Sequence, residues 1–244
     1  MKNYKITAEY DGTKYNGWQR QGNTKNTIAE RFENVLSRMC GKDVEVFASG
    51  RTDAGVHADE QTANFKCDTL MTEPEIQDYL NKYLPEDIRV TSIEEVDMRF
   101  HSRLNAVSKT YEYTIATEKP DVFIRKYVYF ANRKPDIEKM KKAAMLITGK
   151  HDFRGFSSLG RTKKSTVRTV NFIEIEEEEG LIKIRINGDG FLYNMVRIIA
   201  GTLYDIGCDA LDESVIEEIF EEKIRERAGV TLPASGLRLV KVYY

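Results

Sequence analysis

Apolar residues first recur at every second position: Tyr4, Ile6, Ala8 and Tyr10 alternate with Lys5, Thr7 and Glu9, the period of a half-buried strand. The Asp11-Gly12 pair ends that run. From Thr27 the period becomes helical, with Ile28, Phe32, Val35, Leu36 and Met39 on one stripe, Thr27 suited to cap its start and Gly41 to stop it. The pattern then predicts a strand over 44–48, a glycine-rich turn over 50–55 and a strand over 62–65. Ile76, Tyr79, Leu80, Tyr83 and Leu84 mark a second helix closed by Pro85, and 88–96 has the pattern of another strand.

The second half uses the same vocabulary without repeating the sequence. A strand over 110–115 precedes a helix through Ile137, Met140, Ala144 and Ile147. A hairpin is predicted from 167–176 and 181–187, because Ile182, Ile184 and Ile186 alternate with Lys183 and Arg185 just after Gly180. Leu192, Met195, Val196, Ile199 and Leu203 form one helical stripe, Val215, Ile216, Ile219 and Phe220 another, and 237–242 a last strand. The expected class is α/β (α+β), in two halves over residues 1–104 and 105–244, each a sheet backed by helices. No low-complexity linker marks the seam, so the halves are expected to share a sheet or wall a cleft.

A chain of 244 residues that is 41% hydrophobic has enough apolar material for a sizeable core. No apolar stretch approaches the roughly 20 residues of a membrane helix, and the N-terminus leads into a strand pattern rather than a signal peptide. A cytoplasmic location with no membrane partner is therefore expected. Cys40, Cys67 and Cys208 share no metal-binding or framework spacing, and all three are expected to be reduced packing residues. The formal net charge of −2 does not announce a nucleic-acid binder. Its distribution is uneven, however. Lys150, Arg154, Arg161, Lys163, Lys164 and Arg168 are opposed only by Asp152, while Glu174, Glu176, Glu177, Glu178 and Glu179 follow directly. This fits either one basic and one acidic surface or an ordinary solvated face.

Gly50-Arg51-Thr52-Asp53-Ala54-Gly55-Val56-His57 follows a predicted strand, where glycines allow a tight turn that presents a polar side chain. A carboxylate beside a guanidinium there is suited to act as nucleophile or base. The same residues also make a plain turn in which Asp53 caps an amide, and by themselves they favour that simpler assignment. His57, His101 and His151 lack the spacing of zinc ligands, and no nucleophilic Ser or Cys stands beside them in an elbow, so no metal is expected.

Longer motifs shift the balance. Tyr10-Asp11-Gly12-Thr13-Lys14-Tyr15-Asn16-Gly17-Trp18-Gln19 and Gly50 to Ala58 resemble the tRNA pseudouridine synthase A family. So do Phe100-His101-Ser102-Arg103 with Lys109-Thr110-Tyr111-Glu112-Tyr113, His151-Asp152-Phe153 with Phe156, Gly188 through Gly201, and Pro233-Ala234-Ser235-Gly236-Leu237. These blocks stand in the family's order over nearly the whole chain. Ala29 and Leu232 depart from the usual pattern, outside the catalytic set.

The resemblance implies the pseudouridine synthase fold, two ferredoxin-like (RRM-like) halves forming one mixed, mainly antiparallel sheet with a cleft between them. It implies an isomerase that cuts the glycosidic bond of a tRNA uridine and rejoins the turned uracil through carbon, without cofactor or metal. Asp53 would act at the ribose, by attacking C1′ or by removing the C2′ proton, and Arg197 would keep it ionised. Tyr111 would stack on the flipped base and Leu237 close its other face. Tyr111 and Tyr113 stand two apart on one strand, and one of them is expected in the core. Arg51 would fill the vacated stack or hold a phosphate, while Lys163, Lys164 and Arg168 with Arg161 suit a phosphate-contacting loop. A homodimer and uridines of the anticodon arm, the 38 to 40 region, are the implied assembly and substrate. Two rivals remain at this point. One is a non-catalytic RNA-binding module. The other is a glycosidic-bond hydrolase, which needs a second carboxylate, and only Asp189 offers one, in an Asp189-Gly190 pair that suits a turn.

Overall fold

The computed structural model describes residues 1–160 and 162–244; Arg161 of the basic loop lies outside the described residues. The chain divides into two units, Met1–Val107 with Arg238–Tyr244, and Ser108–Leu237. The last strand, from Arg238 onward, packs with the first unit.

In the first unit β1 (Lys2–Tyr10) lies between β3 (His57–Cys67) and β4 (Ile88–Val96), antiparallel to both. Period-two alternation puts Tyr4, Ile6, Ala8 and Tyr10 inside, as predicted. Tyr4 sits opposite Phe65, and the two rings stack at 5.5 Å. On the other edge of β3, β2 (Val46–Ala48) pairs antiparallel with residues 63–65, and β10 (Leu237–Tyr243) pairs parallel with residues 57 and 58. Strand β3 runs beyond the predicted 62–65 because its ladder with β1 extends from Ala58 to Cys67 and holds even the buried polar Gln61 in extended form.

Helix α1 (Ile28–Cys40) begins where predicted: Thr27 Oγ1 accepts the Glu30 amide, and the first two helical amides donate to the Gly17 and Trp18 carbonyls. Helix α2 (Glu73–Tyr83) opens on a capping box between Thr72 and Glu75. Phe32, Leu36, Ile76 and Leu80 bury these helices in the core, each contributing about 1.5–3 kcal/mol of transfer free energy.

The packing overturns one sequence expectation. Cys40 and Cys67 form a disulfide, with Cα atoms 6.4 Å apart. The last residue of α1 and the last of β3 meet only through tertiary packing, so a separation of 27 residues carried no sign of it. Cys208 alone is free and buried, in keeping with a packing role.

The second unit has the antiparallel order β5-β9-β8-β7, with β5 Ser108–Ala116, β7 Gly149–Asp152, β8 Val167–Glu178 and β9 Leu181–Gly188. Between β5 and β7 come β6 (Tyr129–Phe130), which pairs parallel with β5, and α3 (Ile137–Ile147). Neither β6 nor β7 was visible in the pattern, since two and four residues do not establish a period. Glu179-Gly180 turns the predicted β8–β9 hairpin. Helix α3 packs on β8, on α4 (Met195–Gly207) and on α5 (Val215–Glu222). Each unit is therefore a mainly antiparallel sheet with one parallel neighbour and covering helices. No helix among the described residues is long and apolar enough to cross a membrane.

Candidate active site

The segment from Ser49 to Val56 links β2 to β3 with no ladder of its own, so its shape comes from contacts made by its neighbours. At its tip the Val56 amide donates to the Asp53 carbonyl at 3.2 Å. Gly55, at φ +78°, occupies the position of this turn that needs a left-handed residue. Asp53 is half-buried and Arg51 exposed.

The segment carrying Tyr10-Asp11-Gly12 through Trp18 holds this loop from one side. Trp18 N donates to the Thr52 carbonyl at 3.0 Å, and Gly55 N to the Tyr15 carbonyl at 3.2 Å. The Tyr15 hydroxyl is tied to Asp87 at 2.5 Å, which together with burial pushes its pKa up. His57 Nδ1 accepts the Gly12 amide at 3.1 Å, so this histidine locks two motifs together. Two sequence blocks separated by more than thirty residues thus form one structural element around Asp53. Buried polar groups complete the support: Gln61 Oε1 accepts the Ser49 hydroxyl, Gln61 Nε2 reaches the Gly50 carbonyl and the Tyr10 hydroxyl, and Tyr10 meets Thr52 Oγ1 at 2.8 Å. Burial pushes the Tyr10 pKa up to about 12, against the bonds to Thr52 and Gln61, so it stays neutral near pH 7. Gln61 was not singled out from the sequence. The signal was weak, a lone amide beside a strand whose burial only the fold decides.

The second unit gathers most of its candidates around the loop from Gly188 to Asn194. Tyr111 is 7% exposed and meets Phe191 edge-on, with ring centroids 5.1 Å apart. Tyr113 is fully buried, its hydroxyl donating to the Pro233 carbonyl at 2.7 Å, and burial raises its pKa. Residues two apart on a strand share a face, and both tyrosines are in fact buried.

Arg197, in the first turn of α4, is held on two sides. Its Nε donates to the Leu232 carbonyl at 2.6 Å and its Nη1 to Asn194 Oδ1 at 3.0 Å. The partner at residue 232 is a backbone group, so the unusual Leu232 side chain does not disturb it. Arg168 folds its guanidinium onto the Ser165 and Val167 carbonyls and lies beside Gly190. Lys163 and Lys164 are exposed, and Leu237 is buried at the start of β10. Asp189, the hydrolase candidate, is exposed, and its carboxylate accepts the Thr169 amide at 3.0 Å, the contact of a turn residue. His151 stacks on Phe220 at 4.3 Å and His101 packs against Phe47. Among the described residues no group of three or more His, Cys, Asp or Glu is placed to hold a metal ion.

A family model described as tRNA pseudouridine synthase matches residues 6–105 and 143–244. The chain belongs to the tRNA pseudouridine synthase family. It is 46% identical, over the full length of both chains, to tRNA pseudouridine synthase A 2 of Bacillus cereus strain ZK / E33L. It is 48% identical over 240 residues to tRNA pseudouridine synthase A of Bacillus sp. strain KSM-64, covering 98% of each, and 46% identical over full length to tRNA pseudouridine synthase A 1 of Clostridium tetani strain Massachusetts / E88. A solved chain in a Cbf5-Nop10-Gar1 complex shares 14% identity at a TM-score of 0.41, covering 97% of this chain and 48% of that one, too distant to bear on the site. The synthase is an isomerase, which disposes of both the hydrolase and the purely binding alternatives.

Proposed function

We propose that the synthase converts uridine to pseudouridine in the anticodon arm of tRNA, in the 38 to 40 region, with Asp53 as the carboxylate that acts on a flipped-out nucleotide. The observation that carries this is the Asp53 turn. It is half-buried, follows a strand end, and is tied down by the Tyr10 to Trp18 segment and by buried polar groups behind it. A carboxylate that must meet one sugar carbon gains most from such a fixed backbone. The names of the relatives support tRNA as the substrate class.

In the reaction the bond from C1′ to N1 breaks, the uracil turns, and a bond from C1′ to C5 forms. The C5 proton is lost and N1 is protonated, so no atom is gained or lost overall and no oxidant is consumed. Asp53 acts at the ribose, attacking C1′ or removing the C2′ proton. Arg197 is assigned the cation that favours the carboxylate anion against desolvation. Flipping the nucleotide costs a few kcal/mol. Stacking on an aromatic ring returns roughly 1–3 kcal/mol per base, the role assigned to Tyr111, with Leu237 against the opposite face. Arg51, Lys163, Lys164 and Arg168 are assigned to phosphate or stack contacts. A cytoplasmic homodimer, with one tRNA lying across both subunits, completes the proposal and enlarges a modest basic footprint.

Asp53→Asn tests the core of this. Release of tritium from uridine labelled at C5 in tRNA should be abolished, while tRNA affinity stays within about twofold. Release at the parent rate rejects Asp53. In the same assay format, Lys163→Ala with Lys164→Ala should weaken affinity and lower the slope of log K against log salt by about 1–2. Unchanged affinity at low salt removes this loop from the RNA path.

A further inference from the structure

Gln61 is an amide buried to 0% exposure in the first unit, where an apolar side chain would ordinarily serve packing. Its orientation is fixed by its partners. The Gly50 carbonyl only accepts, so Nε2 must face it at 3.0 Å, and Oε1 is left to accept the Ser49 hydroxyl at 2.7 Å. The second Nε2 proton reaches the Tyr10 hydroxyl at 3.4 Å. That hydroxyl in turn shares a hydrogen bond with Thr52 Oγ1 at 2.8 Å. Ser49, Tyr10 and Thr52 are all buried too. One connected set of hydrogen bonds therefore links β3 to the backbone or side chain of residues 49, 50 and 52, and the next residue is Asp53.

Strand β3 also holds the start of the loop through its backbone, with the Ser49 amide donating to the Thr62 carbonyl at 2.8 Å. The bonds from Trp18 and to Tyr15 approach it through the Thr52 carbonyl and the Gly55 amide, while the Thr52 side chain meets the buried Tyr10 hydroxyl. A fully satisfied buried polar network specifies one geometry where an apolar core would permit several.

We propose that Thr52, Tyr10 and Gln61 are positioning residues for Asp53, setting the rate of the chemical step through the loop conformation without touching the RNA. This rests on Asp53 being the acting carboxylate, as proposed above. Thr52→Val keeps the side-chain shape and removes the hydroxyl, Thr52→Ser keeps the hydroxyl and removes the methyl, and Tyr10→Phe removes only the tyrosine oxygen.

The measurement is single-turnover tritium release from C5-labelled tRNA with enzyme in saturating excess, below the unfolding temperature of each variant, alongside tRNA affinity and thermal unfolding. Thr52→Val and Tyr10→Phe should each slow release about tenfold to a hundredfold, the scale expected for a reacting group misplaced by up to an ångström, with affinity within about twofold. Thr52→Ser should recover to within about threefold of the parent. Thr52→Val at the parent rate overturns the proposal. So does equal loss in Thr52→Ser and Thr52→Val, which would mean that keeping the hydroxyl does not preserve the rate, and so does a lowered unfolding temperature with an unchanged rate, which would make the network merely structural. If Thr52→Val does not fold, the Tyr10→Phe rate decides alone. Asp53→Asn, run in parallel, separates the two claims. If it is active, the assignment of Asp53 fails; if it is dead while Thr52→Val is fully active, only the positioning proposal fails.

Discussion

Replacing Gly17 with alanine probes how the first unit builds the Asp53 loop. Gly17 has φ +89°, and a Cβ there would stand 2.7 Å from the Thr52 carbonyl oxygen and 3.1 Å from both the Ala54 nitrogen and the Asp53 carbonyl carbon. All three are backbone atoms, which cannot swing aside as a side-chain end can. The left-handed conformation costs an alanine about 1–2 kcal/mol, and the forced separation adds about 1–3 kcal/mol as overpacking. A total near 3 kcal/mol corresponds to a fall of about 6–12 °C in unfolding temperature for a chain of this size. Gly22→Ala is the control, because nothing lies within 4 Å of its Cβ and its φ is not left-handed; it should change stability by less than about 0.5 kcal/mol. Trp18 is the sole tryptophan, is 2% exposed and adjoins the mutated residue, so its fluorescence reports the unfolding of the first unit selectively. Gly17→Ala should also slow single-turnover tritium release at temperatures where Trp18 remains buried. Equal unfolding curves and equal rates for the two alanine variants would refute the packing of the 10–18 segment against the Asp53 loop.

Two further outcomes follow from particular contacts. Asp152 bonds Lys223 at 2.9 Å and Thr166 at 2.5 Å. Burial pushes its pKa up, but the hydrogen bonds from Thr166, Lys223 and Arg154 outweigh that and hold it below the usual range. A depressed carboxylate contributes stability above its unfolded pKa of about 3.9 and loses it as pH falls through the folded value. Urea unfolding of Asp152→Asn should therefore show a deficit of about 1 kcal/mol at pH 7 that disappears once the pH has fallen below the folded-state value; a constant deficit would contradict the ionic contact. For the disulfide, thiol titration of the denatured, unreduced protein should find Cys208 alone. Because the bond closes a loop with a separation of 27 residues, its reduction should cost about 3.5 kcal/mol on the chain-entropy account; three titratable thiols would mean that Cys40 and Cys67 are not joined.

Much of this architecture was present in local pattern. Strand β4 and helix α3 fall on the predicted residues, because alternation, helical stripes and caps are set by neighbours a few positions away. The Asp53 turn was equally legible, since its glycines and carboxylate are contiguous and the turn chemistry is local. Periodicity assigns a face to each side chain but names no partner for it. It put Tyr111 and Tyr113 on one strand without showing that both sink into the same face.

What the tertiary structure alone decided are the meetings between distant residues: Cys40 with Cys67, Tyr10 with Gln61 across 51 positions, and Arg197 with the Leu232 carbonyl across 35. The docking of β10 parallel to β3 belongs with them. Each depends on which sheet edges pair and how helices settle on them, and that choice is made by the summed burial of many side chains rather than by any one segment. The sequence by itself thus determined most of the elements and the turn that carries Asp53, while the packing determined what holds that turn still.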